Sequence, residues 1–241
     1  MYCYTNSIER TSNRFAKAFA IGAKCEVVLD NKLRDGHFAA FGSPLGWNLL
    51  QQAITAGKTW YYGDHGFFGR GKYYRIAKNQ YQITGEGESD TKRFLNFNIP
   101  ILDWTKKGSH ILICPQTQLF YELHGLNYDD WLNSTINSIK EHTDRPIKIR
   151  LKNDNNPIEH DLIDCWAVVV YTSASAINAV LSGVPAFTTG KCASNIMTLS
   201  DLSLIEKPFY PNNRLEWASV LADNQWTLAE IESGMAWEKI K

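Results

Sequence analysis

Two stretches carry residues whose types and spacing could do chemistry. The first runs Asp64-His65-Gly66-Phe67-Phe68-Gly69-Arg70-Gly71-Lys72-Tyr73-Tyr74-Arg75 and follows the strand-forming run Trp60-Tyr61-Tyr62. In an open α/β sheet, ligands gather outside the carboxyl ends of the strands. A carboxylate placed there can take the proton of a hydroxyl within hydrogen-bond reach, the more so if desolvation raises its pKa. Asp64 is therefore the candidate general base, with His65 beside it and Arg75 able to orient it. Arg70 and Asn79 are candidate orienting groups. A turn aspartate paired with a structural arginine gives the same pattern, and the residues leave both readings open.

The second stretch, Thr172-Ser173-Ala174-Ser175, lies between the β-branched run AVVVY (167–171) and AINAVLSG (176–183). The first N–H groups of a helix lack partners and sit at the positive end of its dipole, so an anion, typically a phosphate, is stabilised there. Ser173 and Ser175 could add hydroxyl donors. A serine that merely caps its own helix would look identical.

These groups need elements to hold them. AVVVY predicts a strand buried on both faces, and the alternation of Ile147, Ile149 and Leu151 with Lys148, Arg150 and Lys152 predicts another. Ile177, Val180 and Leu181 share a helical face that Gly183 ends before Pro185 opens the next strand. HILICP (110–115) is a further buried strand, with Gln116 at its loop junction, and NYDDWLNSTINSIKEHT (127–143) is the helix after it.

Earlier in the chain, residues 8–24 read as an amphipathic helix with Ser7 or Thr5 as cap, and EVVLD (26–30) as a short strand. HFAAFG (37–42) reads as a strand, SPLGWNLLQQAITAG (43–57) as a helix started by Ser43-Pro44, and TWYYG (59–63) as a strand. Residues 79–98 show little regular pattern. The end of the chain reads as two helices whose tryptophans serve core or interdomain packing. The expected organisation is one α/β unit at 1–104 and a second at 105–241, whose terminal helices pack back.

At 241 residues, 44% hydrophobic and 21% charged, the chain can bury a real core. It holds no run long and apolar enough for a membrane span and no signal-peptide core, so a cytoplasmic protein without transmembrane association is expected. Five widely spaced cysteines support neither a disulfide framework nor a zinc pattern. Net charge is zero, but 13 Lys and Arg face 9 Asp and Glu through Trp104, and 12 face 16 from Thr105 onward. The first half is thus net +4 and would permit a polyanionic acceptor.

The order of RPIKIRLK (145–152), a strand, and YTSASAINAVLSGVPAFTT (171–189) resembles the nucleotide-sugar half of GT-B glycosyltransferases related to bacterial capsule Kdo transferases and short phage-encoded relatives. WYYGDHGFFGRGKYYRIAKN (60–79) and the tail from Phe209 resemble the phage proteins. The resemblance implies two Rossmann-like α/β units facing each other across a cleft, in a reduced GT-B form. It also implies that Arg150 and Lys152, with Thr172, Ser173, Ala174 and Ser175, surround the phosphate of a nucleotide-sugar donor. This chain departs from the pattern at Asn153, where a proline is usual, and at Asn178, where an acid is common.

What the resemblance implies is sugar transfer from a nucleotide-activated donor to a hydroxyl, with Asp64, His65 and Arg75 catalytic and Arg70, Asn79 and Gln116 on the acceptor side. Neither a metal nor another cofactor is required. If the protein is phage-encoded, the acceptor could be a hydroxymethylated pyrimidine in phage DNA, modified in the host cytoplasm, or else a glycan. The same scaffold would also serve a nucleotide-sugar epimerase or a non-catalytic nucleotide-binding module.

Overall fold

A computed structural model of the protein describes residues 1–6, 10–42 and 47–241. In chain order the elements are β1 (Tyr2–Tyr4), α1 (Thr11–Gly22), β2 (Glu26–Val28), β3 (Phe38–Phe41), α2 (Trp47–Thr55), β4 (Trp60–His65) and β5 (Tyr73–Lys78). There follow α3 (Lys92–Leu95), β6 (His110–Ile113), α4 (Gln118–Leu123), α5 (Tyr128–Lys140), β7 (Ile147–Ile149), α6 (Ile158–Asp161) and β8 (Cys165–Val170). The last are α7 (Ser175–Leu181), β9 (Ala186–Thr188), α8 (Arg214–Asp223), β10 (Gln225–Thr227), α9 (Leu228–Glu232) and α10 (Met235–Ile240).

The chain divides into two units, Met1–Ile83 with Leu221–Lys241, and Thr84–Val220. The first holds a six-stranded sheet in the order β10-β5-β4-β3-β1-β2. Strands β1 to β4 run parallel, while β5 is antiparallel to both β4 and β10. Because successive strand residues face opposite ways, Cys3, Ala39, Tyr61, Tyr74, Ile76 and Trp226 share one face. That face is buried with Phe15 and Phe19 of α1, Ile231 of α9 and Ala236 of α10. The packing is close enough that a Cβ at Gly63 would overlap the Phe15 ring.

Three of the six strands were not expected from the sequence. β1 has three residues, β5 lies in a stretch read as a glycine-rich loop, and β10 in one read as helix. In β5, Tyr74 and Ile76 point into the core while Arg75 faces away, so the period-two pattern is present beneath the aromatic and basic residues. β10 becomes a strand by pairing with β5 some 150 positions earlier in the chain, which no local propensity encodes. The terminal stretch therefore belongs to the first unit, and the division falls at residues 83/84 and 220/221 where a boundary near 105 was expected.

The helix expected at 8–24 spans 11–22; Ser7 and Ile8 lie outside the described residues. Its N-cap position is Arg10 with no side-chain cap bond, so Thr5 does not cap it. The expected Ser43-Pro44 start of α2 also lies outside the described residues.

The second unit's sheet, in the order β7-β6-β8-β9, is parallel throughout. Ile111, Ile113, Ala167, Val169 and Phe187 pack against Ile139 of α5 in its core. α5 forms where its ends are matched to its dipole. The side chain of Asn127 accepts from Asp130 N at 3.0 Å, Asp129 and Asp130 sit in the first turn, and Lys140 sits in the last. α7 stops at Gly183, whose φ of +76° suits glycine and where a Cβ would overlap the Asp103 carbonyl. Residues 79–98 contain one short helix, α3. Trp217 and Trp226 are core residues, and the five cysteines are free thiols. Among the described residues no helix is long and apolar enough to cross a membrane.

Candidate active site

Asp64 and Arg75 stand directly opposite each other across β4 and β5. Antiparallel partners project to the same side of a sheet, and the Arg75 Nη2 donates to Asp64 Oδ2 at 2.5 Å. The other carboxylate oxygen, Oδ1, accepts from His65 N at 2.7 Å. The Asp64 side chain remains 35% exposed while that of Arg75 is 11% exposed, so the carboxylate can meet a substrate and its partner is held behind it. Phe67 lies under the guanidinium at 4.8 Å, and the buried Arg75 Nε has no hydrogen-bond partner among the described residues. Tyr62, two residues before Asp64, projects to the same side. Burial, and then the Asp64 charge, push its phenol above the usual tyrosine range, so it stays a hydrogen-bond donor.

His65 and Asn79 are not brought to this group. His65 is on the opposite face, edge-on to Phe41 at 5.3 Å and stacked on Tyr74 at 6.0 Å, because neighbours in a strand point oppositely. Asn79 closes the far end of the β4–β5 pair. Its N donates to Trp60 O at 2.8 Å and its Oδ1 accepts from Trp60 N at 2.9 Å, with the left-handed φ of 54° that asparagine tolerates. Asp64 is four positions along the strand from Trp60, about 13 Å. An orienting role for Asn79 and a catalytic one for His65 therefore lack the required placement. Arg70 lies exposed at the tip of the β4–β5 hairpin. That tip is pinned by Gln225, whose Oε1 accepts from Phe68 N and whose Nε2 donates to Phe68 O, both at 3.0 Å.

In the second unit, the parallel register brings Cys114 and Gln116 after β6, Arg150 after β7 and Thr172-Ser173 after β8 to one edge. The amide orientation that satisfies the network turns the Gln116 oxygen to the turn. There it accepts from Thr172 N and Ser173 N at 3.1 Å and from the Thr172 hydroxyl at 2.5 Å. Ser173 Oγ accepts from Ser175 N at 3.2 Å and donates to Ser175 Oγ at 3.1 Å. Ala174 holds the N-cap position of α7. No side chain caps α7 at its N-cap position; Ser173, one residue earlier, takes the Ser175 N–H, and Gln116 takes the N–H groups of Thr172 and Ser173.

Arg150 Nη1 donates to Asp161 Oδ2 and Nη2 to the Asn156 carbonyl, so the guanidinium is committed to the loop after β7. Lys152 is exposed in that loop, whose turn is closed by Leu151 N donating to Asp154 Oδ2 at 2.8 Å. Burial pushes the Cys114 thiol up to about 12, which keeps it a neutral thiol with little nucleophilic character. Among the described residues no group of three His, Cys, Asp or Glu side chains converges as a metal site.

Sequence reasoning passed over three features of these edges. Tyr62 was available from its i, i+2 relation to Asp64. The ring cluster of Tyr121, Trp131 and Tyr171, in which Trp131 Nε1 donates to Thr189 Oγ1 at 2.9 Å, was signalled only by the tyrosine ending AVVVY. Gln225 gave no signal.

No family model matches the chain, and no curated protein matches it. Among solved structures, Thermosulfurimonas dismutans KpsC, beta Kdo 2,7 transferase, superposes with a TM-score of 0.55 at 13% identity, covering 99% of each chain. The same organism's KpsC, beta Kdo 2,4 transferase, superposes with a TM-score of 0.53 at 9% identity, covering 92% of this chain and 90% of that one. The fold is of the GT-B type. At these identities the likeness is one of fold, and the chemistry has to be argued from the residues.

Proposed function

We propose that this protein is a glycosyltransferase that moves a sugar from a nucleotide-activated donor to a hydroxyl acceptor. The observation that carries the reading is the partly exposed Asp64 carboxylate at the carboxyl end of β4, held by Arg75, on a fold shared with sugar transferases. Asp64 accepts the acceptor's hydroxyl proton as that oxygen bonds to the anomeric carbon. The bond from that carbon to the donor phosphate breaks, and its electrons leave with the phosphate. The turn of Thr172, Ser173, Ala174 and Ser175, together with the exposed Lys152 after β7, receives the leaving charge, and Arg150, held by Asp161 and Asn156, shapes the loop that carries Lys152. Gln116 shapes that turn, and Arg75 keeps the carboxylate oriented. No metal or other cofactor is needed for these steps.

The acceptor we favour is a hydroxymethylated pyrimidine in phage DNA, which would place the reaction in a host cytoplasm. The charge supports it: by the observed division, Met1–Ile83 with Leu221–Lys241 carries 13 Lys and Arg against 9 Asp and Glu, again net +4.

Isothermal titration against a panel of nucleotide sugars tests the donor site, and Asp64→Asn tests the base. The expected outcome for Asp64→Asn is lost turnover with donor affinity nearly intact. A rival reading, a nucleotide-binding module without turnover, draws on the same ion pair as a purely structural one. It is favoured if Asp64→Asn changes stability and no sugar transfer is found in the wild type.

A further inference from the structure

The carboxyl-end edge of the first sheet has a charge pattern that one acceptor hydroxyl does not explain. No Asp or Glu occurs between Asp64 and Glu86, while Arg70, Lys72 and Arg75 lie at this edge; Lys78, opposite Tyr61, is at the other. Arg70 and Lys72 sit exposed at the hairpin tip, flanking Gly71, where even a Cβ would meet nothing within 4 Å.

The start of α1 lies at the same edge. Asn13 Nδ2 donates to the carbonyl of Asn6, two residues past β1, at 2.9 Å, and Arg10 and Arg14 are exposed there. Of the unit's carboxylates, Glu26 opens β2 and Asp35 precedes β3, both at the amino-end edge. At the carboxyl-end edge, Asp64 is paired with Arg75 and Asp30 with Arg34, and Glu230, three residues past β10, accepts from Thr227 N and Oγ1, while Glu9 lies outside the described residues.

Aromatic rings are interleaved with these cations. Phe67 and Tyr73 are half-buried, and the Lys72 ammonium stands 5.6 Å from the Tyr73 ring centroid. Gln225 fixes the intervening Phe68 by two hydrogen bonds, so the tip presents its charges from a held backbone. Cations that track a phosphate backbone beside rings on which bases stack are the two requirements for binding single strands. A carboxylated glycan can use the same cations and pack its sugar faces on the rings, so competition by an acidic glycan is what separates the two.

We infer that this edge binds a single-stranded polynucleotide, its phosphates held by Arg10, Arg14, Arg70 and Lys72 and its bases stacked on Phe67 and Tyr73. The inference rests on the acceptor reading above and assigns it a surface.

The probe is a fluorescein-labelled single-stranded oligonucleotide of about 16 nucleotides carrying one 5-hydroxymethyluracil, followed by anisotropy at several salt concentrations. With four phosphate contacts, log K should fall with log salt with a slope of about −3. Arg70→Ala/Lys72→Ala should reduce the magnitude of the slope by about 1.4, and Arg10→Ala/Arg14→Ala by the same amount. Phe67→Ala should weaken binding on the order of tenfold without changing the slope.

Absence of saturable binding by the wild type, or a wild-type slope in both double variants, overturns the inference. So does displacement of the oligonucleotide by alginate at matched charge concentration, which would make the edge an acidic-glycan site. Nucleotide-sugar titration of the same protein separates this from the transferase reading. Oligonucleotide binding with no donor binding removes the transferase and leaves the surface; donor binding without oligonucleotide binding does the reverse.

Discussion

The two carboxyl-end edges of this protein are built in opposite ways. In the first unit the central group is a charged pair, Asp64 and Arg75, with the carboxylate one-third exposed and a buried guanidinium N–H left over. In the second, the turn after β8 is neutral, with the Thr172 and Ser173 N–H groups taken by Gln116 and that of Ser175 by Ser173. A charged pair open on one side can present its carboxylate to a hydroxyl. A turn closed on itself is preshaped, but a phosphate must replace its internal hydrogen bonds to bind. The first edge should therefore control the chemical step, and the second both stability and donor affinity.

Breaking the first edge should give the largest effect. Asp64→Asn removes the base while keeping the shape, and the rate of sugar transfer should fall by about 10²- to 10⁴-fold. His65→Phe should retain most of the rate, since His65 lies on the aromatic face. A similar loss in both would mean that the strand as a whole, and not the face carrying Asp64, sustains turnover.

At the second edge, Gln116→Ala leaves the Thr172 and Ser173 N–H groups without their acceptor. It should cost about 1–3 kcal/mol in urea unfolding. Ser173→Ala, which loses only the hydroxyl that accepts from Ser175 N, should cost about 1 kcal/mol by the same measurement. If neither variant is destabilised, the turn is not the closed network described, and the contrast between the edges dissolves.

The smallest effect is expected from an ion pair at the amino-end side of the second sheet. Arg145 donates to both carboxylate oxygens of Glu206, at 2.8 and 3.1 Å, and holds its carboxyl below the usual range. A carboxyl whose pKa is lower folded than unfolded contributes stability above its unfolded pKa and loses it as pH falls through the folded one. The melting-temperature difference between wild type and Glu206→Gln should thus be present at neutral pH and shrink in acid. A difference independent of pH would show that the pair contributes by packing alone.

How much of this was legible follows the range over which each feature is encoded. AVVVY, the Ser-rich turn and the helix ending at Gly183 lie within some 20 residues of one another and were read as strand, turn and helix, as found. Asp64 and Arg75 could be named from type and position, but their meeting depends on the β4–β5 register, which the glycines of the hairpin obscured. β10 and the Gln225 clamp depend on partners some 150 residues away, beyond any local pattern. Arg150 looked free for a phosphate because its partner, Asp161, sits on the one-turn helix α6 past a polar loop. His65 could have been set aside earlier, since alternation along a strand already places it opposite Asp64.

The central claim is that a nucleotide sugar is the donor. Isothermal titration of a nucleotide-sugar panel against the wild type and Asp64→Asn tests it most directly. At least one nucleotide sugar should bind both proteins with the same affinity. If no member of the panel binds the wild type, the account is contradicted.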